Sequence, residues 1–198
     1  MCIRDSNIAK DEGIPILPRG GGTSQCGQVL GEALIIDTSK QLNRILQFDV
    51  ETKTVEVEPG VVLDDLNRML KPHNLFFPVD ISTGSRATIG GMAGNNACGS
   101  RSIRYGNMVH NVLEIDAILA DGTKGDFGQV SGKLEDIGGP RSYLYIISTL
   151  RKIAARESEE IDYRYCLLYT SPSPRDATLS PIAGVGWKKK GGGGGGGG

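Results

Sequence analysis

Apolar and polar positions change places along this chain in short blocks, and the periods of those blocks predict a mixed α/β order. "NIAKDEG" (7–13) has the pattern of the last turns of a helix with Gly13 just past its end. "IPILPRG" (14–20) reads as a buried strand and "EALIIDTS" (32–39) as a second one. "RILQFDVETKTVEVEPG" (44–60) alternates with period two, which predicts a hairpin turning near Glu51 and Thr52. Between Val61 and Leu70 the apolar residues Val62, Leu66, Met69 and Leu70 share one helical face, and Lys71-Pro72 ends that helix. "VLEIDAILADGTKGDF" (112–127) predicts a strand, an Asp121-Gly122 turn and a short return strand. Tyr143, Ile147, Leu150 and Ala154 mark an amphipathic helix whose other face carries Arg151, Lys152, Arg156 and Glu157.

Two glycine-rich segments interrupt these patterns. The first, "PRGGGTSQCGQ" (18–28), follows directly on a strand. Consecutive glycines there let several backbone N–H groups converge on one anion, with Thr23 and Ser24 adding hydroxyl donors. On these residues alone a tight turn explains the run as well as an anion cradle does, and Arg19 is either a phosphate partner or half of a surface ion pair. The segment is neither GxGxxG nor GxxxxGK[ST], so the usual dinucleotide and P-loop readings fail. The second, "FFPVDISTGSRATIGGMAGNNACGSRSIRYGN" (76–107), is too rich in Gly, Asn and Ser for a regular strand or a long helix. An irregular segment of that length in a compact domain is usually functional, and a large ligand held by backbone groups would offset its ordering cost.

Composition narrows the classes. The 198 residues hold 22 Lys and Arg against 23 Asp and Glu, a formal net charge of -1, which provides no general basic field for nucleic acid and no polybasic membrane patch. No apolar run approaches the ~20 residues that span a bilayer, and the first residues lack the apolar stretch of a secretory signal. The expectation is a soluble, cytoplasmic protein. Cys2, Cys26, Cys98 and Cys166 form no CxxC and read as unpaired, small buried thiols. His73 and His110 have no neighbours for a metal site or a nucleophilic triad, so no metal ligand and no catalytic residue is assigned. Near Cys166 the composition shifts to Ser/Pro-rich text that ends in eight glycines. "MCIRDS" and "CLLYTSPSPRD" resemble translated sequencing-adapter DNA. Residues 1–6 are therefore expected to be a non-native leader, and 166–198 a disordered, artefactual tail.

"PRGGGTSQCGQ", "PVDISTGSRATIGGMAGNNACGSRSIRYG" and "VLEIDAILADG", in that order, resemble the FAD-binding domain of the vanillyl-alcohol oxidase and p-cresol methylhydroxylase (PCMH-type) flavoprotein superfamily. The likeness is greatest to its glycolate oxidase and D-lactate dehydrogenase branch, and "LRKIAARESEEI" adds a likeness to large fused members that append an iron–sulfur domain. The resemblance covers about residues 7–164. It implies an α+β (α/β) PCMH-type fold of two small lobes with FAD between them, incomplete at its N-terminus. Residues 7–140 would form the FAD-binding domain, and 141–165 a helix leading toward a missing substrate or cap domain. It implies that Arg19, Gly20, Gly21, Gly22, Thr23 and Ser24 form a pyrophosphate loop and that Gln28 lies near the flavin end. Pro78, Asp80, Ser82, Thr83 and Gly84 would begin the second cofactor segment, and Thr88, Ile89, Gly90 and Gly91 would follow the pyrophosphate and ribityl chain. Asn95 (or Asn96), Gly99, Ser100, Tyr105 and Gly106 would complete that wall, and Ile115 would reach adenine through its backbone.

Members of the superfamily that tether FAD covalently often carry histidine in the first loop, where this chain has Gly22, so the expected FAD is non-covalent. The implied reaction is oxidation of a small-molecule 2-hydroxy acid, of D-lactate or glycolate type, to the keto acid, with an iron–sulfur domain or subunit as electron acceptor. Its base and carboxylate-holding arginines would come from the cap domain. Two other readings remain open at this point: a UDP-N-acetylenolpyruvoylglucosamine reductase-like flavoprotein, and a non-catalytic nucleotide-binding module.

Overall fold

The computed structural model describes residues 2–129, 137–161 and 163–164. Two compact units divide the chain, Met1–Ser131 and Gly132–Gly198.

In the first unit, helix α1 (Cys2–Asp11) runs without a break from the adapter-like text into "NIAKD", and Gly13, at φ 66°, stops it as expected. Strand β1 (Ile16–Arg19) pairs in parallel with β2 (Leu34–Asp37), Ile16 against Leu34 and Arg19 against Asp37. Both were expected to be buried, yet Leu34 and Ile35 are more than a third exposed. The pair forms a separate two-stranded sheet, so it has no wide sheet of neighbours to bury its apolar runs.

Strands β3 (Ile45–Asp49) and β4 (Thr54–Val57) form the expected antiparallel hairpin. Its turn is fixed by Asp49 Oδ1, which accepts the N–H groups of Glu51 and Thr52. Where the hairpin closes, Glu58 accepts the Arg44 backbone N–H at 2.8 Å and its guanidinium Nη2 at 2.8 Å.

Helix α2 (Leu63–Leu70) buries Leu63, Leu66 and Leu70, a single face at i, i+3 and i+7 spacing. Pro72 lies in the 3-10 turn Lys71–His73 that follows, and Asn74, at φ 57°, ends it. The glycine-rich segment then folds as short pieces, as its composition requires: α3 (Ile89–Gly94), α4 (Ser102–Tyr105) and α5 (Met108–Asn111). Strands β5 (Ile115–Ile118) and β6 (Lys124–Phe127) close the unit as an antiparallel pair around Asp121-Gly122, with Gly122 at φ 80°.

The core lies under the second glycine-rich segment. Val79, Ala87, Met92 and Met108 pack with Leu63 of α2 in one cluster. Val61, Leu66 and Leu70 form a second, against which Phe48, Val55 and Val57 of the hairpin pack. Phe77 and Ile89 pack against both clusters. The apolar residues among the glycines therefore form an interior, not a loose surface loop.

In the second unit, α6 (Arg141–Arg156) takes the expected amphipathic form only in its first turns. Tyr143 and Ile147 are buried, whereas Leu150 is 60% exposed and Ala154 is exposed. The tail from Cys166 onward lies outside the described residues.

Candidate cofactor site

The first glycine loop starts where β1 ends. The Thr38 N–H and its hydroxyl both donate to the Arg19 carbonyl, at 2.9 and 3.1 Å, so the exit of β1 is pinned. Beyond that point the backbone is uncommitted. Among the described residues, the N–H groups of Gly20, Gly21, Gly22, Thr23 and Ser24 donate to no protein acceptor. A row of N–H groups left without partners in an ordered loop has the donor chemistry an anion requires.

The glycines in this loop have different reasons to be glycine. A Cβ on Gly20 would overlap the Thr88 hydroxyl, and one on Gly21 the Arg86 carbonyl oxygen. These two positions let the first loop lie directly on the 86–88 stretch of the second. Gly22 is at φ 66°, and the Arg19 guanidinium fills the space beside it, with Nη2 2.9 Å from where a Cβ would stand. Among the described residues Arg19 makes no ion pair, although its charge also acts on the Asp37 carboxylate across the β1–β2 pair.

The stretch Thr83–Gly91 serves the protein itself. Thr88, 2% exposed, caps α3 by accepting the Gly91 N–H at 3.4 Å. The Ile89 N–H goes to Val61 O and the Gly90 N–H to Pro59 O, both at 2.8 Å. Thr83 O accepts the N–H groups of Arg86 and Ala87, and Gly84 O accepts that of Asp64. This segment therefore has few backbone donors left for a ligand. A Cβ on Gly90 would come within 2.5 Å of Pro59 Cβ, which accounts for glycine there by packing.

Asp80, Ser82, Gly99 and Ser100 do come together, lining an open cleft of about 470 Å³ with Ile81 and Cys98. Asp80 stitches its two walls: Oδ2 accepts the Ser100 hydroxyl at 2.8 Å, and Oδ1 accepts the Arg101 N–H at 2.9 Å. Partial burial pushes the Asp80 carboxyl up, but these hydrogen bonds and the Arg101 charge outweigh it, and the carboxyl is held below its ordinary value. Pro78 precedes the fully buried Val79 at the entrance to this stretch.

Asn95 and Asn96 divide their work. The Gln28 amide donates to Asn95 Oδ1 at 3.2 Å, joining the two glycine-rich segments a second time. Asn96, at φ 45°, instead accepts the Val109 N–H at 3.0 Å and so holds α5. Tyr105 meets Phe76 edge to face at 5.7 Å, with Arg104 over its ring. Gly106, at φ 78°, turns the chain past His110, whose Nδ1 accepts the Asn107 N–H at 3.0 Å. His110 is thus a structural residue, as is His73, whose ring lies 4.9 Å from that of Phe48. Ile115 opens β5 opposite Phe127, on a different sheet from the first loop.

Two sequence expectations need revision. Cys26 and Cys98 are exposed, not buried, because each lies in a loop outside the two core clusters. Gly60 and Arg101, passed over in the sequence, shape the region. A Cβ on Gly60 would come within 2.5 Å of Leu42 O, and Arg101 pairs with Asp80 at 3.5 Å. The Pro-Gly at the end of β4 was a local signal for the first; nothing local marked the second.

Comparison with known proteins bears on the family and the fold. A family profile described as "FAD binding domain" matches residues 5–127. D-2-hydroxyglutarate dehydrogenase of Haemophilus influenzae is 42% identical over 117 residues, 59% of this chain and 11% of that protein. Glycolate oxidase subunit GlcD of Bacillus subtilis is 36% identical over 134 residues, 67% of this chain and 28% of that protein. The mitochondrial D-lactate dehydrogenase (cytochrome) of Kluyveromyces lactis is 40% identical over 114 residues, 56% of this chain and 19% of that protein. Among solved structures, 6-hydroxy-D-nicotine oxidase of Arthrobacter nicotinovorans shares the fold over 64% of this chain and 27% of its own, at TM-score 0.56 and 22% identity. The chain thus spans about a tenth of the D-2-hydroxyglutarate dehydrogenases it matches.

Proposed function

The chain belongs to the FAD binding domain family, and from that premise we propose that it is the FAD-holding part of a flavin-dependent oxidoreductase acting on 2-hydroxy acids. The carrying observation is the row of uncommitted N–H groups from Gly20 to Ser24, seated on Arg86–Thr88 with the Arg19 charge beside it. An FAD pyrophosphate needs free donors, bare backbone and a compensating charge, and the uncommitted N–H groups, the glycines and Arg19 supply these. The residues present therefore fit the cofactor.

Within this reading Gly20, Gly21, Gly22, Thr23 and Ser24 hold the pyrophosphate, and Arg19 neutralises part of its charge. Thr83, Gly84 and Thr88–Gly91 act mainly as the rigid floor beneath them, since their backbone groups are engaged within the protein. Gln28 and Asn95 span the two segments and orient the flavin end. Asp80, Ser82, Gly99 and Ser100 form a further wall, Tyr105 and Gly106 continue it, and Ile115 is the adenine-side position. The flavin is held without a covalent bond: Gly22 offers no nucleophile, and Arg19 fills the space a side chain there would take.

The chemistry supplied by bound FAD is acceptance of a hydride equivalent from a hydroxyl-bearing carbon. This chain's own residues bind and orient; none is assigned a proton transfer. The substrate class rests on the relatives' names, D-2-hydroxyglutarate dehydrogenase, D-lactate dehydrogenase and glycolate oxidase subunit. An iron–sulfur domain or subunit as electron acceptor belongs to the same proposal.

FAD titrated into the 198-residue chain should quench flavin fluorescence saturably at one site, and denaturation should release all of it to the supernatant. Absence of saturable binding would overturn the cofactor reading. Flavin that stays with the precipitated protein would overturn the non-covalent part.

A further inference from the structure

The cleft beside the second glycine-rich segment has two walls, Asp80–Ser82 and Cys98–Ser100, that lie about twenty positions apart in the chain. Their joint is a single side chain. Both Asp80 carboxylate oxygens are engaged from the opposite wall: Oδ2 by the Ser100 hydroxyl at 2.8 Å, Oδ1 by the Arg101 N–H at 2.9 Å. The Arg101 guanidinium adds an ion pair at 3.5 Å. The approach is close enough that a Cβ on Gly99 would overlap the Asp80 carbonyl oxygen and come within 2.6 Å of Oδ1. The receiving wall is also braced from behind, because the Gly99 N–H donates to the Ser102 hydroxyl at 2.9 Å and the Ser102 N–H to Gly99 O at 3.0 Å.

A carboxylate used in this way has little left to offer a ligand. Two charge-assisted hydrogen bonds and an ion pair occupy the oxygens, and an anionic group at a site for an anionic cofactor would repel it. We infer that Asp80 and Arg101 are positioning residues: they form a latch that sets the width of the cleft and holds Gly99 and Ser100 in place for the cofactor, without touching it themselves. This rests on the FAD reading above and departs from a direct cofactor contact for Asp80. Arg101 is the sole charged partner of the Asp80 carboxylate within 4 Å among the described residues, so the latch is a closed pair. The Arg101 side chain is 61% exposed and enters neither core cluster, so its substitution tests the latch without disturbing packing.

The test is FAD titration of the 198-residue chain, read by flavin fluorescence and by the visible circular dichroism of the bound flavin. Variants are Arg101→Gln, Arg101→Lys, Asp80→Asn and the Asp80→Asn/Arg101→Gln double. Arg101→Gln should weaken FAD binding ~3–10-fold, the range of one partly exposed charge-assisted contact. It should also alter the flavin dichroism while leaving the thermal midpoint nearly unmoved. Arg101→Lys should recover most of the affinity. Asp80→Asn should weaken binding at least as much, and the double variant no more than Asp80→Asn alone, because both changes open one joint. Wild-type affinity and dichroism in Arg101→Gln would overturn the latch and leave the FAD reading standing. Failure of the wild-type chain to bind FAD would overturn both. If Asp80→Asn does not fold, the Arg101 pair decides the question alone.

Discussion

Gly21 lies against Arg86 so closely that a methyl group on Gly21 would overlap the Arg86 carbonyl oxygen. The two glycine-rich segments, 65 positions apart at this contact, therefore meet backbone to backbone. Gly21→Ala should destabilise the chain by ~1–3 kcal/mol, the usual cost of forced overpacking. Gly94 is the control: it ends α3 with nothing within 4 Å of an added Cβ, so Gly94→Ala should be neutral or stabilise by up to ~1 kcal/mol. Urea midpoints of the two variants check both signs. Equal effects would mean that the contact carries no energy.

Thr88 is both the N-cap of α3 and the residue on which Gly20 rests. Thr88→Val keeps the shape and removes the acceptor for the Gly91 N–H. It should cost ~0.5–2 kcal/mol, the range for losing an N-cap, whereas Thr88→Ser should keep most of that stability. Chemical denaturation separates the two.

Leu66 and Leu150 look alike in sequence, each on the apolar stripe of an amphipathic helix. They differ in surroundings: Leu66 is 1% exposed and Leu150 60%. Leu66→Ala should therefore cost ~2–5 kcal/mol. Leu150→Ala should stay within ~0.5 kcal/mol of wild type. Thermal unfolding of both variants is the measurement.

The Glu58 carboxyl is held below its ordinary value of 4.5, first by hydrogen bonds from the Arg44 side chain and then by the Arg44 N–H, against the opposing push of burial. A depressed folded value means the contribution is complete above pH 4.5 and is lost as pH falls through the lower value. Glu58→Gln should thus lower the urea midpoint at pH 7, and the gap to wild type should close as the pH drops below 4.5. A gap that is constant with pH would assign the effect to packing.

Periodicity made most of the elements legible: the 44–60 alternation is the β3–β4 hairpin, Asp121-Gly122 is the β5–β6 turn, and the Leu66–Leu70 stripe is the core face of α2. Burial was less legible. "IPIL" and "LIID" read as buried strands because apolar runs carry no record of what covers them, and here each belongs to a two-stranded sheet. Along α6 the stripe continues through Leu150 and Ala154 while burial ends near Ile147, since a period reports which residues share a face and not whether a partner lies opposite.

The sequence by itself determined the two glycine-rich segments and, through their order along the chain, the FAD binding domain family. Bare backbone is a local property, set by residue type. Only the tertiary structure decided which glycines packing requires, because that depends on atoms brought in from far along the chain. Gly20 and Gly21 are bare so that Arg86–Thr88 can approach, Gly90 so that Pro59 can, and Gly99 so that Asp80 can. The different partners of Asn95 and Asn96 are of the same kind: Asn96 itself takes a left-handed conformation and holds α5, while Asn95 accepts from Gln28.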